Sequence, residues 1–200
     1  MVVVVVAASA AEAAAASMAA ARPATGDKQG PTTMPHLRRA LHHFATTAGT
    51  ARRHFPAEAQ QQLHAAVHAG ESRHRGEIRV VIEASLPLGH AWAGVTPRER
   101  ARFLFGALEV WNTADHTGVL LYINLADHAV ELLADRGIDA SVGPAVWREL
   151  CDELAHGLKQ DLSVAPVLVT VARIHELLAH HFPSDGGHNP NELDDRPVVI

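Results

Sequence analysis

The stretch Gly118–Leu125 (GVLLYINL) limits the fold more than any other part of this 200-residue chain. It is an almost continuous apolar run of strand length, too short for a helix of ordinary size, with β-branched and aromatic residues inside it. A strand that is apolar on both sides must be covered on both sides, so it predicts a central strand with helices on either face. The composition allows this, with 48% hydrophobic and 20% charged residues. That is enough for one domain with its own core.

The neighbouring segments supply the cover. Glu77–Glu83 (EIRVVIE) alternates strictly, which predicts a strand with Ile78, Val80 and Ile82 on one face. Glu77, Arg79, Val81 and Glu83 then form a second, polar or partly solvated face. Ala129–Ala134 (AVELLA) follows a tight turn at Ala126-Asp127 and reads as an antiparallel partner of the central strand. Thr96-Pro97-Arg98-Glu99 is a capping box and opens a helix presenting Ala101, Leu104, Phe105, Leu108 and Trp111. One helix is read over Pro35–His54, another from Pro56 to Gly70. A third opens at Pro144 with Trp147, Leu150, Cys151 and Leu154 inward, and a last runs over about Val164–His181 with Val167, Val171, Ile174 and Leu178 as its stripe. The strand–helix–strand unit predicts a parallel crossover. The fold expected is α/β, a small mixed β-sheet flanked by helices on both faces in three layers.

Residues 1–33 read as an Ala/Val-rich disordered extension and linker, 34–183 as the domain and 184–200 as a C-terminal tail. Residues 1–21 have the length of a signal or anchor, but no Lys or Arg precedes the apolar run and Glu12 interrupts it. The cytoplasm is the simplest compartment, with export or membrane association the alternative if that stretch acts as a signal or anchor. The formal charge of −5 and the lack of a Lys/Arg cluster argue against nucleic acid as partner. The single cysteine, Cys151, forms no internal disulfide and reads as a buried thiol.

Histidine is unusually frequent, at 15 residues. His64, His68 and Glu71 follow one another at helical spacing that can hold zinc or nickel, but without the HExxH signature these histidines read as solvated. At the strand ends, Asp115 and His116 precede the central strand, and Asp135 and Arg136 end its antiparallel neighbour. The hairpin should place those four side by side. Asp115 and Asp135, with Glu71, are the candidate ligands of a divalent cation such as calcium or magnesium. Arg136 is the candidate phosphate holder, and His74 and His116 are candidate proton donors. Asp-Arg-Gly is equally ordinary turn chemistry, and Asp115 and Glu71 could each simply cap backbone amides.

Several motifs follow one another along the chain. Glu71-x-x-His74-x-Gly76-Glu77-Ile78 precedes the first strand, and Trp111-Asn112-Thr113-x-Asp115-His116-x-Gly118-Val119-Leu120-Leu121 enters the second. Val130-Glu131, Ala134-Asp135-Arg136-Gly137-Ile138, Trp147, His181-Phe182-Pro183 and Asn191-Glu192-Leu193-x-Asp195-x-Pro197-Val198 follow. Together, over roughly Leu37–Ile200, they resemble the TPM domain family, most closely its short bacterial members without a C-terminal membrane segment. The resemblance implies an α/β sandwich. Plant thylakoid relatives have been assigned an acid phosphatase activity and a role in photosystem II repair, and some members bind calcium or another divalent metal in an acidic pocket at one end of the sheet. Relatives usually carry a Gly-rich stretch before the last helix, where this chain has Asp161-Leu162-Ser163-Val164-Ala165-Pro166. The function expected is a non-catalytic binding module for an envelope- or membrane-associated protein partner, holding a divalent cation. The alternative is a metal-dependent phosphatase-like hydrolase.

Overall fold

The computed structural model describes residues 3–5, 34–186 and 191–200. Most of the stretch read as signal, anchor or linker, and part of the tail, lie outside them. Among the described residues no helix is long and apolar enough to cross a membrane.

The central strand is β3 (Gly118–Asn124), buried at every position. It pairs in parallel with β2 (Glu77–Glu83) and antiparallel with β4 (Ala129–Ala134). Two short strands complete the order β1-β4-β3-β2-β5. Within the stretch read as an extension, β1 (Val3–Val5) lies antiparallel to β4. Within the stretch read as a tail, β5 (Val198–Val199) lies parallel to β2. Both are short and β-branched, and both pair at the rims of a sheet whose middle was legible from pattern alone.

Register explains the two cores. Ile78, Val80 and Ile82 stand opposite Val119, Leu121 and Ile123, which stand opposite Ala134, Leu132 and Val130. This face carries the larger core, covered by α2 (Ala48–His54), α3 (Ala57–Glu71), α7 (Pro144–Gln160) and α8 (Val164–His181). Trp147, Leu150, Cys151, Leu154, Val167, Val171, Ile174 and Leu178 are all buried in it, as their spacing predicts. Each large aliphatic side chain so buried contributes about 1.5–3 kcal/mol.

The opposite face, Val81, Leu120, Tyr122 and Leu133, lies under α5 (Pro97–Ala107) through Ala101, Leu104 and Phe105. The face of β2 expected to be polar or partly solvated is therefore a second core. At its carboxyl end the charge is paired rather than solvated: Glu83, 2% exposed, takes Arg100 Nη2 at 2.7 Å and Tyr122 O–H at 2.6 Å. Asn124 Nδ2 then donates to the Tyr122 oxygen. Burial, followed by the adjacent Glu83 charge, pushes the Tyr122 hydroxyl far above its ordinary range.

Three local expectations change. The helix read over Pro35–His54 is two, α1 (Met34–Ala45) and α2, broken at Thr46-Thr47. Thr46 Oγ1 bonds back to the His42 carbonyl, and Thr47 takes extended backbone before α2. The capping box of α5 is present in both its bonds, but the helix ends at Ala107. Glu109 turns the chain at φ 54°, Val110 takes the buried place, and Trp111 is left 48% exposed. Two further short helices have no periodic signature of their own: α4 (Leu88–Trp92) and α6 (Arg136–Val142).

Candidate functional site

The amino ends of β2 and β3 meet the last turn of α3 and the segment 191–196, which crosses to reach β5. That segment is tied down bond by bond. The Glu192 carboxylate accepts from Ala114 N at 3.0 Å. Leu193 N donates to Glu77 Oε2 at 3.4 Å, and Arg79 Nη1 donates to the carbonyls of Asp194 and Arg196. Asp195 accepts from Asn191 Nδ2 and from His68 Nδ1, each at 2.8 Å.

The crossing gathers acid groups away from water. Glu71, Glu77 and Asp195 are 8%, 1% and 5% exposed. Among the described residues, no Lys or Arg is bonded to these three carboxylates, and Glu71 Oε1 is buried with no hydrogen-bond partner. Burial first, then the charges of Glu77 and Asp195, push the Glu71 carboxyl up to about 8. Burial likewise pushes Glu77 up to about 7, against the pull of backbone N–H groups of Leu193 and Glu192. An interior acid cluster of this kind must hold protons or a cation. Donor atoms of His68, Glu71 and Asp195 lie within 4.8 Å of one another, and this is the only such trio of His, Cys, Asp or Glu among the described residues.

The four strand-end residues named from sequence lie together at the same end of the sheet. Gly137 is pressed against the carbonyls of Asp115 and His116 so closely that a Cβ there would sit 2.8 and 2.6 Å from them. His116, in left-handed backbone at φ 55°, places Nε2 2.6 Å from Arg136 Nη2 and Nδ1 3.4 Å from Asp135 Oδ2. Asp135 is the N-cap of α6 and accepts from Arg136 N at 2.7 Å. Asp115 turns away to an exposed ion pair with Arg75 at 2.8 Å. Asp115 and Asp135 thus have local partners, and neither belongs to the trio that Glu71 joins.

His74 is elsewhere. It is fully buried, and its ring begins a chain of bonds through the core. Gly76 N–H donates to His74 Nδ1 at 3.2 Å, so the His74 proton sits on Nε2 and points to His175 Nδ1 at 2.7 Å. His175 Nε2 then donates to the Ala66 carbonyl at 3.1 Å. Each imidazole is neutral in a fixed tautomer, and burial lowers both to about 4. This geometry joins α3 to α8 and leaves His74 without an approach from solvent.

Sequence reasoning underrated His68 and named Asp195 only within a motif. The two are 127 residues apart and meet only through the fold. The available signals were the H-x-x-E spacing at 68 and 71, which sets both on one helix face, and the acidic Glu192–Asp195 stretch. His64 lies beside His68, ring centroids 6.2 Å apart, but outside the trio. The Asp161–Pro166 stretch lies away from this acidic end; its Leu162 lines an apolar recess at the carboxyl end of β3.

Comparison with known proteins agrees with this architecture. The solved NMR structure of the BA42 protein from the psychrophilic bacterium Bizionia argentinensis superposes with a TM-score of 0.63 at 24% identity, covering 71% of this chain and 92% of that one. No curated protein matches this chain. The profile of the TPM domain matches residues 52–175, a span running from α2 to within α8. With the parallel β2–β3 pair, the β3–β4 hairpin and both helical layers in place, this chain belongs to the TPM domain family.

Proposed function

We propose that this protein is a divalent-cation-binding module whose ligands are His68, Glu71 and Asp195, with Glu77 behind them. The observation that carries the reading is the buried, unpartnered oxygen of Glu71 within a trio of donors. Three protein ligands leave positions for water or a partner group, as in open metal sites. An imidazole among carboxylates fits zinc or manganese better than calcium or magnesium, which take all-oxygen shells. Because the cation takes the place of the proton on Glu71, binding is coupled to proton release. Because Asp195 lies in the crossing segment and His68 and Glu71 lie on α3, a bound cation also clamps that segment to the domain and fixes the surface it offers to a protein partner.

The test is thermal unfolding of the untagged full chain in chelator and then with zinc, manganese, calcium or magnesium. A ligand of the folded state at a hundredfold excess over its Kd adds about 2.7 kcal/mol. Zinc or manganese should raise the midpoint, and Asp195→Asn should remove the rise. No rise with any of the four cations refutes the reading.

The second reading is a metal-dependent phosphatase-like hydrolase. It is favoured by the exposed Arg136 guanidinium and His116 imidazole held together at the same end of the sheet. Arg136 would bind a phosphoryl oxygen and His116 would carry the proton. Metal-dependent turnover of p-nitrophenyl phosphate that is lost in Arg136→Ala would establish it. Absence of turnover with every cation that stabilises the fold would leave the binding module.

A further inference from the structure

At the other end of the sheet, the β3–β4 hairpin and the last turns of α7 enclose a recess of about 500 Å³. That is the size of pockets that hold small ligands. Its walls are hydrocarbon: Leu125 and Val130 from the hairpin, Ala155 and Leu158 from α7, and Leu162 from the α7–α8 loop. The polar side chains of the lining are Asn124, Asp127, His128 and Lys159, and the first two are already committed. Asn124 Oδ1 accepts from Asp127 N and its Nδ2 donates to Tyr122. Asp127 takes Arg39 Nε and Nη2, each at 2.8 Å, and His43 Nε2 at 3.1 Å, and these partners hold its carboxyl well below the ordinary range despite its burial.

With Asp127 neutralised by Arg39, the rim's uncompensated charge is Lys159, exposed at the end of α7 and without an ion pair among the described residues. The exposed His128 on the hairpin turn lines the same recess, held in left-handed backbone at φ 50°. An apolar recess with one cation at its mouth selects an amphiphile with its tail inside and an anion at the rim. We infer that this recess is a binding site for a medium-chain carboxylate, the chain lying against Leu125, Val130, Leu158 and Leu162 and the carboxylate on Lys159. The site is independent of the acidic trio, which lies at the opposite sheet end.

The experiment is titration of the full chain with decanoate and with decanol, in chelator so that no cation at the acidic end can recruit the carboxylate. Heat and backbone amide shifts are both recorded. Saturable binding of decanoate at one site is expected, with shifts centred on Ala129, Val130, Leu158 and Lys159. Lys159→Met, a surface change that leaves the fold intact, should weaken decanoate roughly fivefold and leave decanol unchanged, the size of a solvent-exposed ion pair. Ala155→Phe should fill the recess and remove both. The inference is overturned by no saturable decanoate binding, by shifts elsewhere, by decanol binding as tightly as decanoate, or by indifference to both substitutions.

Discussion

Gly70→Ala is an unusually sharp probe of how α3 and α8 are joined. A Cβ at Gly70 would lie 2.3 Å from three ring atoms of His175. Atoms cannot approach so closely, so the ring or the helix must move. The ring is not free to swing, because Nδ1 accepts from His74 and Nε2 donates to the Ala66 carbonyl. Overpacking a filled core costs about 1–3 kcal/mol, and displacing the imidazole gives up buried hydrogen bonds worth about 1–2 kcal/mol more. Alanine's better helix propensity returns about 1 kcal/mol. The net loss is about 3 kcal/mol, a fall in Tm of roughly 9 °C for a chain of this size. Urea unfolding of the two single variants and of Gly70→Ala/His175→Ala completes a double-mutant cycle. His175→Ala alone is destabilising, since it leaves a cavity and removes the Nδ1 acceptor of the His74 N–H. On that background Gly70→Ala should cost nothing or stabilise slightly, a coupling of about 3 kcal/mol. An equal cost of Gly70→Ala on both backgrounds would show that the contact with His175 is not what excludes a side chain at position 70.

Three other outcomes follow from the buried charges. The Glu71 carboxyl, raised to about 8, binds a proton in the folded state that the unfolded chain has released above its ordinary value of 4.5. The contribution of this group to stability therefore falls as pH rises from about 4.5 to 8, and Glu71→Gln in chelator should gain roughly 3 kcal/mol at pH 8 and little at pH 5, while losing the zinc response. A Glu71→Gln variant less stable than the parent at pH 8 would defeat this. The His74–His175 pair acts in the opposite sense. Both are held neutral, lowered to about 4, so their contribution is complete above pH 6.5 and is lost as pH falls towards 4, by about 1.4 kcal/mol per unit for each imidazole. Chemical denaturation of Glu71→Gln/Glu77→Gln from pH 6.5 to 4.5 isolates that slope, and a flat profile would contradict the neutral pair. Arg100→Met strands the buried Glu83 charge and should cost about 3 kcal/mol by urea denaturation; Glu83→Leu on top should recover much of it, and failure to recover would assign the loss to Arg100 packing.

What the sequence made legible follows physical range. The apolar run of β3, the alternation of β2 and the stripe of α8 are local periodicities, and the structure places all three elements as read, although the second face of β2 is buried rather than partly solvated. The capping box at Thr96 is likewise local, since both of its bonds span three residues. The α1–α2 break escaped because neither Gly nor Pro marks Thr46-Thr47, and the bond that ends α1 belongs to a hydroxyl. β5 escaped because two valines carry no periodicity, and its pairing with Val81 and Ile82 is decided by the sheet. The adjacency of Asp115–His116 with Asp135–Arg136 was deducible from a hairpin, where contact order is low. The trio of His68, Glu71 and Asp195 was half legible: helical spacing pairs His68 with Glu71, but nothing local supplies Asp195.

The crossing segment carries a consequence for the order of assembly. Asp195 meets His68 across 127 residues, and the Leu193 amide meets Glu77 across 116. Closing loops of that length is entropically costly and is repaid only after the intervening helices have condensed. The β3–β4 hairpin and the α7–α8 layer can gather early through short-range contacts, whereas the acidic pocket stays open until the last strand docks on β2. A cation held by the three proposed ligands therefore selects molecules in which the crossing segment has docked, and its affinity reads out that docking.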